Sequence, residues 1–196
     1  DCLLSRGLGD VYKRQDVGTP VVAVSFSADG RRAFVVKTDT HRLGVLHVDE
    51  SGPVPRVTHD PAEDVTTGLV PFNLVVSPDG ALALVVDMGS PTASDGHADS
   101  VSVVDLLATP PCVIDRVMVE DGPEGIAISP DGRHAAVAIV QGSNNPSSEW
   151  FHHPRGQIVL LRIDGQRVTR AGAVEVGALP EGCLLYTSDA ADDSLR

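Results

Sequence analysis

A seven-residue phrase occurs three times in this chain. It reads VSFSADG up to Gly30, LVVSPDG up to Gly80 and IAISPDG up to Gly132, so successive copies lie 50 and 52 residues apart. In every copy a loop with Gly and Pro leads into a short apolar stretch, an Asp-Gly pair follows, and a second apolar stretch comes next. Self-similarity at a fixed spacing of this size is typical of repeat architectures.

The Asp-Gly pairs predict tight turns. In Ser77-Pro78-Asp79-Gly80, Pro has the φ that the second turn position needs, and Gly can take a positive φ where the strand restarts. Apolar, β-branched runs flank this turn, so it predicts a hairpin. A third apolar run in each copy ends in Asp, and a fourth is rich in Val and Arg.

Four short strands per copy predict a β-propeller blade. We therefore expect an all-β chain: a partial β-propeller with about three four-stranded antiparallel blades of a larger closed propeller. A helical solenoid is excluded because no copy carries a sustained 3.6-residue periodicity. The expected blades span residues 16–67, 68–121 and 122–177. Residues 178–182 repeat a blade start, and we expect them to begin a fourth, truncated blade.

The copies resemble YVTN-repeat propellers, a bacterial and archaeal family grouped with lactonase-like propellers. The resemblance covers about residues 16–182 and is carried by the Ser-Pro-Asp-Gly elements at 77–80 and 129–132, with Ala28 replacing Pro in the first copy. The tetrapeptide that gives the family its name is degenerate here, keeping its apolar character without its Asn. The resemblance implies the fold, and by family habit a periplasmic or secreted location, but it is nearly silent on activity.

The two ends of the chain have a different character. Residues 1–15 and 183–196 resemble sequencing-adapter sequence translated in frame, a contaminant of metagenome-derived proteins, so we expect both to be artefacts and exclude them from fold reasoning. On this interpretation the true termini, any signal peptide and the number of blades lie outside the sequence.

Composition excludes two classes of partner. A net charge of −12 argues against nucleic acid, because binding phosphates requires clustered Lys and Arg. No apolar run is long enough for a transmembrane helix, so no membrane span is expected. The three cysteines have neither metal-site nor disulfide-framework spacing.

Two long loops are the predicted location of function. They join the second and third strands of their blades: DMGSPTASDGHAD at 87–99, the blade-2 insert, and QGSNNPSSEWFHHPRG at 141–156, the blade-3 insert. In a propeller these loops emerge on the same face as the blade-to-blade connections. Loops longer than a hairpin needs, carried on a rigid scaffold, commonly hold binding residues.

The candidate ligand-binding residues come from this face. Trp150, His152 and Arg155 combine aromatic surface, base and cation in the blade-3 insert, whereas Asn73 and Glu124 stand at blade starts near the expected channel. Amphipathic aromatics are common ligand anchors. The alternative is that Trp150 and Phe151 fold back to cover blade 3 or pack against a blade that the sequence does not include.

A divalent cation is the only cofactor that the sequence suggests. Asp95, His97 and Asp99 alternate in the blade-2 insert, and alternate residues of an extended stretch share one side, where they could converge on the ion. The spacing matches no specific metal motif, and a plain solvated loop explains it as well.

The sequence therefore leaves two candidate functions. The first is a binding or scaffold module whose partner is a protein, a glycan or a small molecule. The second is a lactonase-like hydrolase or quinoprotein-like enzyme with its site at the channel mouth. No catalytic motif such as a nucleophile elbow or a zinc-protease helix is present, so the sequence leaves open whether the chain is an enzyme.

Overall fold

Each copy of the repeat forms one antiparallel sheet in the computed structural model, which describes residues 17–92 and 94–182. The first sheet contains β1 (Ala23–Phe26), β2 (Arg32–Lys37), β3 (Arg42–Asp49) and β4 (Arg56–His59), with the two-residue β5 (Val65–Thr66) beside β3. The second sheet contains β6 (Pro71–Val76), β7 (Leu82–Asp87), β8 (Ser100–Asp105) and β9 (Cys112–Met118). The third contains β10 (Pro123–Ile128), β11 (His134–Ile139), β12 (Gln157–Asp164) and β13 (Arg167–Glu175).

The strands of each sheet are hydrogen-bonded in sequence order, as in a propeller blade. This confirms the predicted fold class: the chain is a partial β-propeller of three four-stranded antiparallel blades. The two-residue strand β5 is an addition to blade 1 that the repeat did not predict. The terminal segments expected to be artefacts, residues 1–15 and 183–196, lie outside the described residues, and so does Asp16. Within the described residues, no helix has the length and hydrophobicity that crossing a membrane requires.

The Asp-Gly turns have the predicted geometry. Gly30, Gly80 and Gly132 all have φ close to +70°, a conformation that side chains with a Cβ disfavour. In the second copy, the N–H of Gly80 donates to the carbonyl of Ser77 at 2.8 Å, and the Ser77 hydroxyl caps the N–H of Leu82 at 2.9 Å. The turn therefore fixes where the second strand of each blade starts.

Two apolar seams hold the blades face to face. Between blades 1 and 2, Phe34 and Leu43 pack against Val85; between blades 2 and 3, Leu84 and Val101 pack in one cluster with Leu161 and its neighbours. Since all six residues of β7 are buried, blade 2 has no exposed face in its second strand. Most side chains at the seams are Val, Ile or Leu, in agreement with the scarcity of aromatics.

Blade 1 also contains a buried ionic cluster. Lys37 Nζ lies 2.7 Å from Asp64 Oδ2, and His59 Nε2 lies 2.8 Å from Asp64 Oδ1, with all three side chains at most 5% exposed. Lys37 Nζ is also 3.3 Å from His59 Nε2. A lysine is rarely buried unless it is paired, so Asp64 is what allows Lys37 to lie inside the blade.

This cluster gives a stability prediction. Asp64→Ala leaves the Lys37 ammonium buried without its carboxylate and should lower the free energy of unfolding by about 3–5 kcal/mol, measured by urea denaturation followed by circular dichroism. The matched control is Glu63→Ala, which removes the neighbouring, partly exposed pair with His47 and should cost less than about 1 kcal/mol.

A second variant keeps the prediction testable if Asp64→Ala does not fold at all. The double substitution Lys37→Met/Asp64→Leu removes both charges together and should recover most of the lost stability, because an apolar pair can replace a buried ion pair at little cost. Equal losses for Asp64→Ala and Glu63→Ala would contradict this account.

Candidate functional site

The blade-2 insert and the blade-3 insert meet over the seam between blades 2 and 3. The strands before them, β7 and β11, end at Asp87 and Ile139, and the described residues of both inserts form turns, bends and irregular segments. The Ser94 hydroxyl of the first insert accepts a hydrogen bond from the N–H of Gly142 in the second, at 2.9 Å. The two loops therefore form one surface and not two separate walls.

Carboxylates tie this surface to the blades beneath it. Asp121, just before blade 3 starts, accepts from the backbone N–H of Asp95 at 3.0 Å and from that of Gly96 at 2.9 Å. In return, Asp99 of the blade-2 insert accepts from the N–H of Gly122 at 2.9 Å. Hydrogen bonds to charged acceptors are stronger than those between neutral groups, so this exchange holds the insert in place.

The surface contains a hollow of about 270 Å³, which we call the seam hollow. Its lining combines one aromatic pair with carboxylates, imidazoles and an amide. The lining residues are Gly96, His97, Ala98, Glu120, Asp121, Gln141, Trp150, Phe151 and His153.

Trp150 is the most exposed large apolar side chain described, at 75%, yet its ring is held by contacts. Its centroid is 5.4 Å from that of Phe151 with the rings at 86°, and 6.4 Å from that of His97 at 82°. A Cβ on Gly96 would lie 2.3 Å from Trp150 Cη2, so the indole edge rests on a position where only glycine leaves room. The predicted alternative, Trp150 folded back over its blade, does not fit this exposure.

A larger hollow of about 480 Å³ lies at the opposite end of the same seam. It is lined by the Asp-Gly turns of blades 2 and 3 and by the end of β12. The carboxylates of its two turns are engaged within the turns themselves: Asp79 accepts from the Ser77 hydroxyl and Asp131 from Arg133 Nε at 2.9 Å. Because these residues are the structural elements of the repeat itself, the seam hollow is the better candidate for a site.

Burial changes the acidity of the carboxylates near the inserts. Desolvation raises the pKa of Asp87 to about 6, although the hydroxyls of Ser102 and Ser100 donate to it. Desolvation likewise raises the pKa of Asp99 to about 7, with the negative charge of Asp121 adding to the effect. The pKa values of Asp121 and Glu124 are also raised, in both cases first by burial. Shifted acidities of this kind concentrate at functional sites.

The structure places the predicted ligand-binding residues in three groups. Trp150 lines the seam hollow, whereas His152 lies nearby with Nδ1 3.2 Å from the carbonyl of Gly142. Arg155 is exposed and makes no hydrogen bond to a described residue. Asn73 and Glu124 stand on the first strands β6 and β10; the amide oxygen of Asn73 accepts from the N–H of Leu74.

The predicted metal ligands are divided between two surroundings. His97 Nδ1 lies 3.1 Å from Asp95 Oδ1 at the surface, whereas Asp99 is buried and directed at Gly122. Across the described residues, no group of three or more His, Cys, Asp or Glu side chains is arranged to hold a metal ion. A cation at Asp95, His97 and Asp99 stays a prediction.

Among the lining residues that the sequence analysis did not single out are Glu120, Asp121 and Gln141. Glu120 and Asp121 precede a Gly-Pro loop and look like part of an ordinary blade connection. Gln141 has a φ of +54°, which the sequence of the insert does not indicate. Only the contact across the seam reveals their role.

Comparisons with solved structures agree with the fold. The chain is similar to hydrazine synthase from Kuenenia stuttgartiensis (24% identity, TM-score 0.59, 87% of this chain and 41% of that one). It is also similar to a protein of unknown function from Desulfotomaculum acetoxidans (13%, 0.66, 87% and 47%). A third similar structure is a candidate 6-phosphogluconolactonase from Bacteroides fragilis (16%, 0.63, 82% and 43%). The chain shares its propeller fold with these structures.

At these identities the likeness concerns the fold alone, and the chain spans less than half the length of each of these structures. No family model and no curated protein matches the chain.

The raised pKa values predict an unusual dependence of stability on pH. A carboxyl whose pKa is higher in the folded than in the unfolded chain favours folding most at low pH, and that contribution is lost as the pH rises through the folded value. Between about pH 5 and about pH 8, Asp87 alone should lower the free energy of unfolding by about 1 kcal/mol. Urea denaturation across this range measures the slope.

Asp87→Asn should reduce that slope but not abolish it, because the pKa of Asp99 is also raised. The amide does not ionise, and its oxygen can still accept from the N–H of Gly68, as Asp87 Oδ1 does at 3.1 Å. Asp49→Asn is the control: the pKa of exposed Asp49 is lowered, so the slope above about pH 5 should not change. A slope in Asp87→Asn equal to that of the unsubstituted chain would contradict the assignment.

Proposed function

We propose that this chain is a ligand-binding module of a YVTN-like, lactonase-like propeller, with the seam hollow as its binding site. The observation that carries the proposal is Trp150, a solvent-open aromatic held in a fixed position where two blades meet. A ligand that binds to a preformed surface loses less free energy in ordering the protein. Trp is also the residue type most enriched among strong binding contacts.

The size and the lining of the seam hollow favour a small ligand or one group of a larger one. Its volume of about 270 Å³ lies just below the range of about 300–1,000 Å³ that is typical of small-molecule sites. One aromatic wall beside a few polar groups is the usual composition of such sites. Among the predicted partners, this favours a small molecule, or a single protein or glycan residue, over an extended protein interface.

Trp150 is the only tryptophan of the chain, so its fluorescence reports on the seam hollow alone. We expect a library of small acidic, basic and neutral compounds to contain members that change this emission saturably. Gly96→Ala should shift the emission of the free chain and weaken those ligands at least about tenfold, because the new Cβ displaces the indole that supports binding.

Gly80→Ala is the matched control for Gly96→Ala. Gly80 also has a positive φ, +71°, but a Cβ there would meet nothing within 4 Å. Both variants carry the backbone strain of about 1 kcal/mol, and only Gly96→Ala changes the hollow. A library without any saturable ligand, or equal weakening by both variants, would overturn the proposal.

A hydrolase is the second candidate, favoured by one observation besides the fold. Glu124, half-buried at the start of β10, has a raised pKa from burial and from the charge of Glu181. A carboxyl whose pKa is raised towards neutral pH can act as a general acid or base.

The test is hydrolysis of gluconolactone followed by pH-stat. Hydrolysis above the buffer rate that Glu124→Gln abolishes, and Glu50→Gln on the opposite face does not, would make the chain an enzyme.

A further inference from the structure

We propose that the seam hollow binds a small organic cation, a quaternary ammonium or a protonated amine, through the indole of Trp150 and the negative charge of Glu120 and Asp121. This inference rests on the proposed function above, because it requires the hollow to be a binding site, and it adds the chemical class of the ligand.

The aromatic part of the hollow has the shape that cation recognition uses. Trp150 and Phe151 both line it, and their rings meet at 86°, so they form a corner and not a flat stack. The ring of His97 stands nearly perpendicular to Trp150 as well. Organic cations are held where aromatic faces enclose them within about 6 Å of a ring centroid, and Trp is the strongest of the aromatic side chains in this role.

The charge of the hollow fits the same ligand. Two of its lining residues are carboxylates, Glu120 and Asp121, and none of the described lining residues is Lys or Arg. Asp95 adds a third carboxylate next to the lining. Arg170 Nη1 pairs with Glu120 at 2.6 Å, so three acids stand against one cation and leave a formal charge of −2 at the hollow. An anionic ligand would be repelled there.

The hydrogen bonds that Asp121 already makes favour a cation over a sugar as the ligand. Each of its carboxylate oxygens already accepts from a backbone N–H, one from Asp95 and the other from Gly96. About two of its four acceptor positions are therefore occupied, so Asp121 offers a ligand its full negative charge and fewer acceptor positions than a free carboxylate. A sugar hydroxyl needs directional acceptors and donors, whereas a quaternary ammonium needs only charge and an apolar surface.

The experiment is a titration of the 196-residue chain with choline chloride at about pH 8, where carboxylates are ionised, followed by Trp150 fluorescence. Sodium chloride keeps the ionic strength constant, and free tryptophan amide corrects for direct quenching. Dimethylbutanol, the uncharged carbon analogue of choline, tests the need for charge, and glucose tests the sugar alternative. We expect saturable binding of choline, about tenfold weaker binding of dimethylbutanol, and no binding of glucose.

Substitutions locate the site. Asp121→Asn and Glu120→Gln should each weaken choline binding severalfold, whereas Trp150→Leu, followed by calorimetry, should abolish it. Glu50→Gln is the matched control, because it also removes one exposed carboxylate but lies in the β3–β4 hairpin of blade 1, at the end opposite the inserts. It should leave choline binding unchanged.

Each other outcome overturns the proposal in a recognisable way. Equal affinity for choline and dimethylbutanol would reduce the hollow to an apolar contact, and binding of glucose alone would make it a sugar site; both leave the proposed function standing. If choline does not bind while other library compounds do, the proposed ligand class is wrong and the proposed binding site remains. If no compound binds, both proposals fail together.

Discussion

The packing of blade 2 between its two neighbours is the constraint on which the rest of the structure depends. Its second strand β7 is buried along its whole length, and its two faces supply side chains to two separate apolar clusters. Burying apolar surface contributes about 25 cal/mol per Å², so sliding one blade against the next would expose the seams at a high cost. The loops above a seam inherit that fixed geometry, and this is why a hollow between two inserts can be preformed.

Above the seam between blades 2 and 3, carboxylates and not apolar side chains make the contacts between the two blades. Asp121 and Asp99 each cross from one blade to the backbone amides of the other. A buried carboxylate costs free energy unless it is hydrogen-bonded, and the raised pKa of Asp99 shows that its compensation is incomplete. The chain therefore holds its loop surface in position at some expense of stability at neutral pH. Such a local conflict between stability and geometry is expected at functional sites.

The architecture could be predicted from the sequence because the residues that determine each turn and strand are neighbours in the chain, and the pattern occurs three times. The turn at Ser77–Gly80 needs only its own four residues to determine its shape, and the observed φ of Gly80 agrees with the prediction. The sequence also placed Trp150 in a long insert, but it left open whether the side chain anchors a ligand or covers protein surface. Each of these inferences used information from neighbouring residues in the chain.

The composition of the seam hollow could not be predicted in the same way. Asp121 faces Gly96 from 25 residues away, and nothing in either segment specifies the other as its partner. The expectation for Asp95, His97 and Asp99 assumed an extended stretch, and neither the φ of +85° at Gly96 nor the hydrogen bond from Gly122 to Asp99 is indicated by the sequence there. Long-range contacts between loops depend on how the blades pack, which a single sequence does not show.

The position of Trp150 is the point on which the account of the site depends most directly. Nuclear Overhauser effects between the indole Hη2 and Hζ2 protons of Trp150 and the Hα protons of Gly96 would measure it in solution. The account predicts strong effects in the unliganded chain, because the indole edge rests on Gly96. Their absence, with the indole protons showing random-coil shifts, would contradict a preformed hollow at the seam between blades 2 and 3.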